Sequence, residues 1–340
     1  MIDVAIFVAT MKITPGDNRL EIAAPAKVNL FLELLGRRND GFHELETVMT
    51  SVSLYDHLRF TLRDDSEIRL TISYPASPSH LREQDAIPTD QTNLICKSIA
   101  LVRQLATAEG NSDLCQRGMN IHLLKTIPSA AGLGGASSNA AAAIIAANLM
   151  WELNWPKERL ENIAAQIGSD IGFFLSCGTA ICSGRGEKVE PLATPARLPI
   201  VIAKPPESLS TANVFSKVKP LESSVRPLSA RHLTQSVQSG RLAQIGGRLF
   251  NRLQEFASLI THQIAALERE FAQLNCLGHQ MSGSGSCYFG IFHNSKTARL
   301  AANCLSSRMP DTRIFCTHTS SAQPLNFSAE RRSSSWKLQK

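Results

Sequence analysis

The sequence predicts an α+β fold of two lobes, and three observations carry that expectation. Stretches that alternate apolar and polar residues are mixed with stretches of helical period, without strict strand–helix–strand repetition. The chain has 340 residues, more than a typical single domain of about 150. Its composition, 43% hydrophobic and 19% charged, can bury a large core and lies far from that of disordered chains.

Residues 1–18 read as an N-terminal extension ending in the turn formers Pro15, Gly16, Asp17 and Asn18. The short apolar run at its start carries Asp3 where a signal peptide needs a basic region, so the cytoplasm is the expected compartment. Leu20 to Leu35 is β-rich, and Leu58 to Ser73 is strand-like with a break at Asp64-Asp65. Tyr74 to Asp90 holds three prolines and reads as loop. Asn93 to Ala108 repeats apolar residues at helical spacing, from Leu94 and Ile95 to Leu105. Met119 to Ile127 is a strand, and Ala136 to Leu153 a helix. Pro156 and Lys157 open another helix that Gly168 stops.

Thr179 to Val189 and Leu198 to Lys204 read as strands, then Ser208 to Ala243 as a polar connection broken by Pro220 and Pro227. Gly247 to Gln273 is helical, Gln280 to Phe292 a glycine–serine turn with a strand, Ala298 to Ser306 a helix and Thr312 to His318 a last strand. The Ser- and Arg-rich residues 320–340 predict a disordered tail. The lobes are expected at 19–196 and 197–319.

Charge and cysteines narrow the function classes. The net charge of +6 looks suited to nucleic acid, but Glu330, Arg331, Arg332, Lys337 and Lys340 in the tail carry half of it. The remainder is weakly basic, as suits an enzyme of anionic small molecules rather than a polyanion groove. The eight cysteines form no C-x-x-C pair and no zinc-finger spacing with histidine, so buried thiols are expected and no metal ligand set is assigned.

The chemistry concentrates in Pro128, Ser129, Ala130, Ala131, Gly132, Leu133, Gly134, Gly135, Ala136, Ser137 and Ser138, followed by an alanine-rich helix. Glycines let backbone amides approach a bulky anion, and the helix start adds unpaired N–H groups and a positive dipole end. This is a phosphate cradle. It is not a P-loop, because no lysine lies between Lys125 and Lys157. A dinucleotide fingerprint would need glycine where Ser137 stands, and a protein kinase would need His-Arg-Asp and Asp-Phe-Gly, both absent. Thr126 to Trp151 has no charge, but its glycines, Pro128 and polar residues exclude a membrane helix.

Three further pieces accompany it. Lys27 lies in the apolar strand Ala24-Pro-Ala-Lys-Val-Asn29, followed by Gly36-Arg-Arg-Asn-Asp-Gly-Phe42-His43. Asp170 lies in the glycine-flanked Gly168-Ser-Asp-Ile-Gly172. Taken singly, a snorkelling lysine and a turn aspartate are the better readings; taken together they make an acid–base pair beside phosphates. Gly283, Ser284 and Gly285 form a second glycine turn, either a hairpin or a second clamp on the phosphates.

These four pieces, in the order they take along the chain, resemble the GHMP small-molecule kinases, which include galactokinase, homoserine kinase and mevalonate kinase. The lysine strand and the Phe-His block resemble one branch, whose acceptor is CDP-methylerythritol, a precursor of isoprenoids. The similarity runs from about Leu20 to about His318. Ile171-Gly172 departs from the Val-Pro of that branch. The resemblance implies a ribosomal-S5-like first lobe and a ferredoxin-like second lobe. It implies transfer of the γ-phosphoryl of ATP, with Mg²⁺, to the 2-hydroxyl of the CDP-alcohol. Asp170 would be general base and Lys27 its partner; Asn29, Phe42, His43, Thr211 and Phe215 would bind the acceptor. Ser137 or Ser138 would face the magnesium. A small-molecule substrate, no nucleic acid, no membrane and a monomer or weak homodimer complete the expectation. Another GHMP kinase, a non-catalytic nucleotide binder and an RNA-binding protein stand as alternatives.

Overall fold

A computed structural model describes residues 10–16, 18–76, 87–110, 113–176, 178–193, 197–218 and 228–320. The fold is α+β with two sheets. The first lobe is organised by a long antiparallel ribbon. Strand β1 (Lys12–Gly16) lies beside β2 (Arg19–Arg37), and β2 beside β3 (His43–Leu62). Next come β4 (Ile68–Ser73), α1 (Leu94–Ala108), β5 (Met119–Leu124), α2 (Gly135–Met150), α3 (Lys157–Ile167), α4 (Ile171–Ser176), β6 (Thr179–Gly184) and β7 (Lys188–Leu192). The far half of β3 pairs with β5, and β4 runs parallel to β5; the near half pairs with β6, which pairs with β7.

The second lobe contains β8 (Pro199–Lys204), α5 (Thr211–Ser216), α6 (Arg231–Gln238), α7 (Leu242–Gly246), β9 (Phe250–Asn251), α8 (Leu253–Ser258), α9 (His262–Ala272), β10 (Gly278–Met281), β11 (Tyr288–Ile291), α10 (Ser295–Arg308) and β12 (Arg313–His318). Its antiparallel sheet has the order β10-β11-β8-β12.

Strand β2 decides where the lobes meet. Ile22 and Ala24 pack under α1 and α2 in the first core, together with Trp151 and Phe173. Ala26, Val28 and Leu30 pack on Ile200 and Ile202 of β8 and Phe289 of β11. Leu32 and Leu34 reach a third cluster with Leu267 and Phe271 of α9. One strand thus contributes to all three apolar clusters, which welds the lobes through shared burial. Helix α2 is buried on every side, with Ala140 to Ala147 fully covered, as expected for a helix apolar all round. Among the described residues no helix is long and apolar enough to cross a membrane.

Several element boundaries differ from expectation. Lys12–Gly16, placed above in an extension, is a strand zipped to Arg19–Ala23. The strand read from Leu58 begins at His43, because Glu46, Thr47, Thr50 and Ser51 find partners on neighbouring strands and loops. The helix read over Gly247 to Gln273 is three pieces. Asn251 pairs with β2 and accepts from Leu253 N–H at 3.0 Å, and Thr261 caps α9 by accepting from Gln263 N–H. Ser320 is held on β3, donating its N–H to Ser51 O at 2.9 Å. The rest of the expected tail, 321–340, and residues 1–9 lie outside the described residues.

One ion pair ties the second lobe to β2. Glu33, fully buried, accepts from Arg252 Nε at 2.7 Å and Nη2 at 2.8 Å, and from Leu34 and Leu228 N–H groups. Removing one partner of a buried pair strands the other charge, so Glu33→Ala should cost about 3–5 kcal/mol. Arg308→Ala, which breaks the exposed pair with Glu270, should cost under about 1 kcal/mol. Urea unfolding midpoints measure both, and equal midpoints would remove the pair from the list of lobe-joining interactions.

Candidate active site

The glycine loop joins β5 to α2 and is fixed from below. Asp56, fully buried, accepts from Thr126 N–H at 2.7 Å, Ile127 N–H at 2.8 Å, Lys125 Nζ at 2.9 Å and Asn139 Nδ2 at 2.9 Å. Lys125 also donates to Ile127 O. The carboxylate therefore ties the loop's entry to the first turn of α2. Sequence reading missed Asp56, because an aspartate in Leu54-Tyr-Asp-His57 carries no local sign of burial.

Within the loop, Ala130, Gly132 and Gly134 have φ of +45°, +74° and +68°. Gly132 is required twice over, since a Cβ there would lie 1.9 Å from Ser282 O. Gly134 forms the N-cap of α2 and leaves its first N–H groups open to the cleft. Pro128 to Ser137 all line one large cleft of about 1580 Å³. Ser138 does not line it, and its hydroxyl is buried without a partner.

Lys27 is buried, and its backbone N–H donates to Leu133 O at 2.9 Å, so the lysine strand backs directly onto the loop. Its Nζ donates to Asn29 Oδ1 at 2.6 Å and lies 3.7 Å from Asp170 Oδ2. Burial holds the Lys27 ammonium below the usual lysine range, opposed by the nearby Asp170 charge. Asn29 is oriented in turn, donating from Nδ2 to Thr47 Oγ1 at 2.8 Å. Asp170 is a third exposed, at the turn that starts α4. The two charged groups expected to meet do meet, in the cleft and beside the loop.

The second glycine turn closes on the first. Ser282 Oγ donates to Gly132 O at 3.0 Å, and Cys287 N–H donates to Ala131 O at 3.2 Å. Gly283 and Ser284 line the cleft, whereas Gly285 points away, toward Met281 and Leu209. Asn251 holds this turn by donating from Nδ2 to both Met281 O and Gly283 O at 2.8 Å. Ser284 Oγ and Thr211 Oγ1 are 2.8 Å apart.

Rings gather at the other end of the cleft. The His43 and Phe215 rings touch in a tilted arrangement, centroids 5.2 Å apart and planes at 40°, and Phe42, 54% exposed, stands beside them. Partial burial, then the Arg37 charge, holds the His43 imidazole below its ordinary pKa, so it is neutral at pH 7. Sequence reading missed Arg185, whose guanidinium lies 5.1 Å from the Phe42 ring centroid. It also missed Ile87, Pro88 and Leu123, which give the cleft an apolar wall near α1. Among the described residues no group of three or more His, Cys, Asp or Glu is placed to hold a metal ion. None of the seven cysteines among the described residues forms a disulfide with another of them.

Comparison with known proteins gives the family of the chain. Residues 93–182 match the GHMP kinases N terminal domain and residues 233–311 the GHMP kinases C terminal domain. The chain is 34% identical over 296 residues to 4-diphosphocytidyl-2-C-methyl-D-erythritol kinase of Alkaliphilus metalliredigens, covering 87% of this chain and 96% of that one. It is 36% identical over 278 residues to the enzyme of the same name from Bacillus pumilus, covering 82% and 90%. A crystal structure of 4-(cytidine 5'-diphospho)-2C-methyl-D-erythritol kinase superposes with TM-score 0.69 at 29% identity, over 88% of this chain and 99% of that one. The chain belongs to the GHMP kinase family, in the branch of the 4-diphosphocytidyl-2-C-methyl-D-erythritol kinases.

Proposed function

We propose that this protein transfers the γ-phosphoryl of ATP to the 2-hydroxyl of 4-diphosphocytidyl-2-C-methyl-D-erythritol. The observation that carries the reading is the single cleft in which the Lys27–Asp170 pair lies between the glycine loop and the Phe42–His43–Phe215 ring cluster. A homoserine or mevalonate kinase has no use for that cluster, because its acceptor carries no base.

The open amides of the loop and of the first turn of α2 bind the triphosphate, and the apolar wall of Ile87, Pro88 and Leu123 takes the adenine. Asp170, reachable from the cleft, accepts the proton of the acceptor hydroxyl. Lys27 offsets negative charge growing on the acceptor oxygen and the moving phosphoryl group, at a buried position where an ammonium acts strongly. Asn29 and the Ser282–Gly283 turn keep Lys27 pointed at that spot. Ser137, which lines the cleft at the start of α2, would hold a Mg²⁺ ion bound with the triphosphate, and that ion would supply charge neutralisation there. The base is sandwiched by Phe42 and Phe215, with His43 reading its edge and Thr211 and Ser284 lining the way between.

Asp170→Asn should leave ATP binding intact while kcat falls about 10²–10⁴-fold, the range for losing a general base. Lys27→Met keeps the apolar stem and should lose kcat with little change in melting temperature. Because Lys27 titrates below the usual lysine range, wild-type kcat should fall as pH rises through that lowered pKa, and the variant should lack this alkaline limb. Single-turnover rates near wild type in either variant would take that residue out of the mechanism.

Gly134→Val should abolish ATP binding. Valine resists a φ of +68°, and its Cβ would meet Lys27 and Phe174 at 3.0 Å. Calorimetry with a non-hydrolysable ATP analogue gives the answer, and an unchanged affinity would reduce the loop to a helix cap.

Phe42→Ala should cost about 1–3 kcal/mol of acceptor binding, or roughly 5- to 150-fold in its KM, with the KM for ATP nearly untouched. His43→Ala should instead narrow the preference for the CDP substrate over its UDP analogue, since only directional hydrogen bonds tell the bases apart. Equal losses with both substrates in both variants would mean that these rings do not read the base.

A further inference from the structure

We propose that Arg185, assisted by Arg37, is the binding site for the diphosphate of the acceptor, an inference that rests on the reading of the acceptor as a CDP-alcohol. The charge lining the cleft is one-sided: four cations, Lys27, Arg37, Lys125 and Arg185, face a single carboxylate, Asp170. Two of the four are already committed, Lys125 to Asp56 at 2.9 Å and Lys27 opposite Asp170 at 3.7 Å. Arg37 and Arg185 make no ion pair with any described residue. The nearby carboxylates are occupied elsewhere. Asp40 accepts from Arg38 Nε at 3.1 Å and Phe42 N–H at 3.1 Å. Glu187 accepts from the backbone N–H of Arg185 at 2.6 Å, folding back under its own hairpin. Asp40 is near enough to feel the Arg185 charge but does not line the cleft, so both guanidiniums face the cleft without an ion pair, and cations so placed mark the place of an anion.

Their position says which anion. Arg185 and Gly186 form the turn between β6 and β7. At one end of this turn the Arg185 guanidinium lies over Phe42, 5.1 Å from the ring centroid. At the other end Gly186 backs onto the reacting centre, where a Cβ would lie 3.4 Å from Asp170 Oδ1. Arg37 is registered directly opposite His43 across β2 and β3. An acceptor with its base at Phe42 and His43 and its hydroxyl at Asp170 must lay whatever joins them along this turn. In a CDP-alcohol that joining piece is the diphosphate. The planar fork of a guanidinium matches pairs of phosphate oxygens, and its stacking on Phe42 holds it in place beforehand.

The test compares cytidine and CDP as inhibitors competitive with the acceptor, for the wild type, Arg185→Gln, Arg185→Lys and Arg37→Gln, with melting temperatures confirming folded protein. Arg185→Gln should weaken CDP about 10- to 100-fold, as expected for losing one or two charge-assisted hydrogen bonds. Cytidine inhibition and the KM for ATP should stay within about twofold. Arg185→Lys should fall between, keeping the charge without the fork, and Arg37→Gln should lose less than Arg185→Gln. An unchanged ratio of CDP to cytidine affinity in Arg185→Gln would overturn the proposal. Equal weakening of both inhibitors would also overturn it, by showing that the guanidinium only steadies Phe42. A drop in kcat with both inhibition constants unchanged would place Arg185 on the transferred phosphoryl instead, and sink the proposal as well. If neither compound competes with the acceptor in the wild type, the CDP-alcohol reading itself fails and this inference falls with it.

Discussion

The buried carboxylate of Asp56 is the constraint from which the site is built. An ionised group without water must be surrounded by donors, or it costs more than the fold can bear. Asp56 finds all of its donors on one short piece of chain: two backbone N–H groups at the entry of the glycine loop, Lys125 before it and Asn139 after it. A flexible glycine-rich segment is thereby held in one shape by a residue about 70 positions upstream. The opening for Asp56 is made by an irregularity in the sheet. Pro25 has no N–H to give to the ladder, and the register of β2 against β3 shifts between Pro25 and Ala26, immediately beside it.

The same strand then places the lysine. Residues of β2 from Ala23 to Leu34 are buried throughout, because the strand serves one lobe, then the junction, then the other. Lys27 is carried inside by that continuity, and its desolvated ammonium has to be met by Asn29 and Asp170. The second lobe contributes through its glycine turn, whose Ser282 bonds the first loop and whose carbonyls are gripped by Asn251. Asn251 itself extends the first sheet by pairing with β2. Phosphate loop, lysine and second turn therefore form one hydrogen-bonded assembly, and neither lobe holds a complete site.

Charge is arranged in the same economical way. The chain as a whole is basic, with half of its excess in the tail, yet within the cleft the unpaired cations stand at the ring end and the lone carboxylate at the centre. A cleft that is positive along its length and negative at one point holds an anionic substrate while leaving a single group free to take a proton.

What the sequence determined by itself was the local chemistry: the glycine loop and its helix, the strand around Lys27, the Asp170 turn, the Phe42–His43 block and the mixed α+β pattern. Each of these is set by neighbours in the chain, through φ preferences, helix starts and apolar periodicity. Tertiary structure alone decided which of the paired serines faces the cleft, since Ser137 and Ser138 differ only by 100° of helix rotation. It decided that Asp56 is buried, that Arg185 overhangs Phe42, and that Asn251 interrupts what reads as one long helix. These depend on partners far away in the chain, and burial and charge pairing over such distances leave no trace in the spacing of nearby residues.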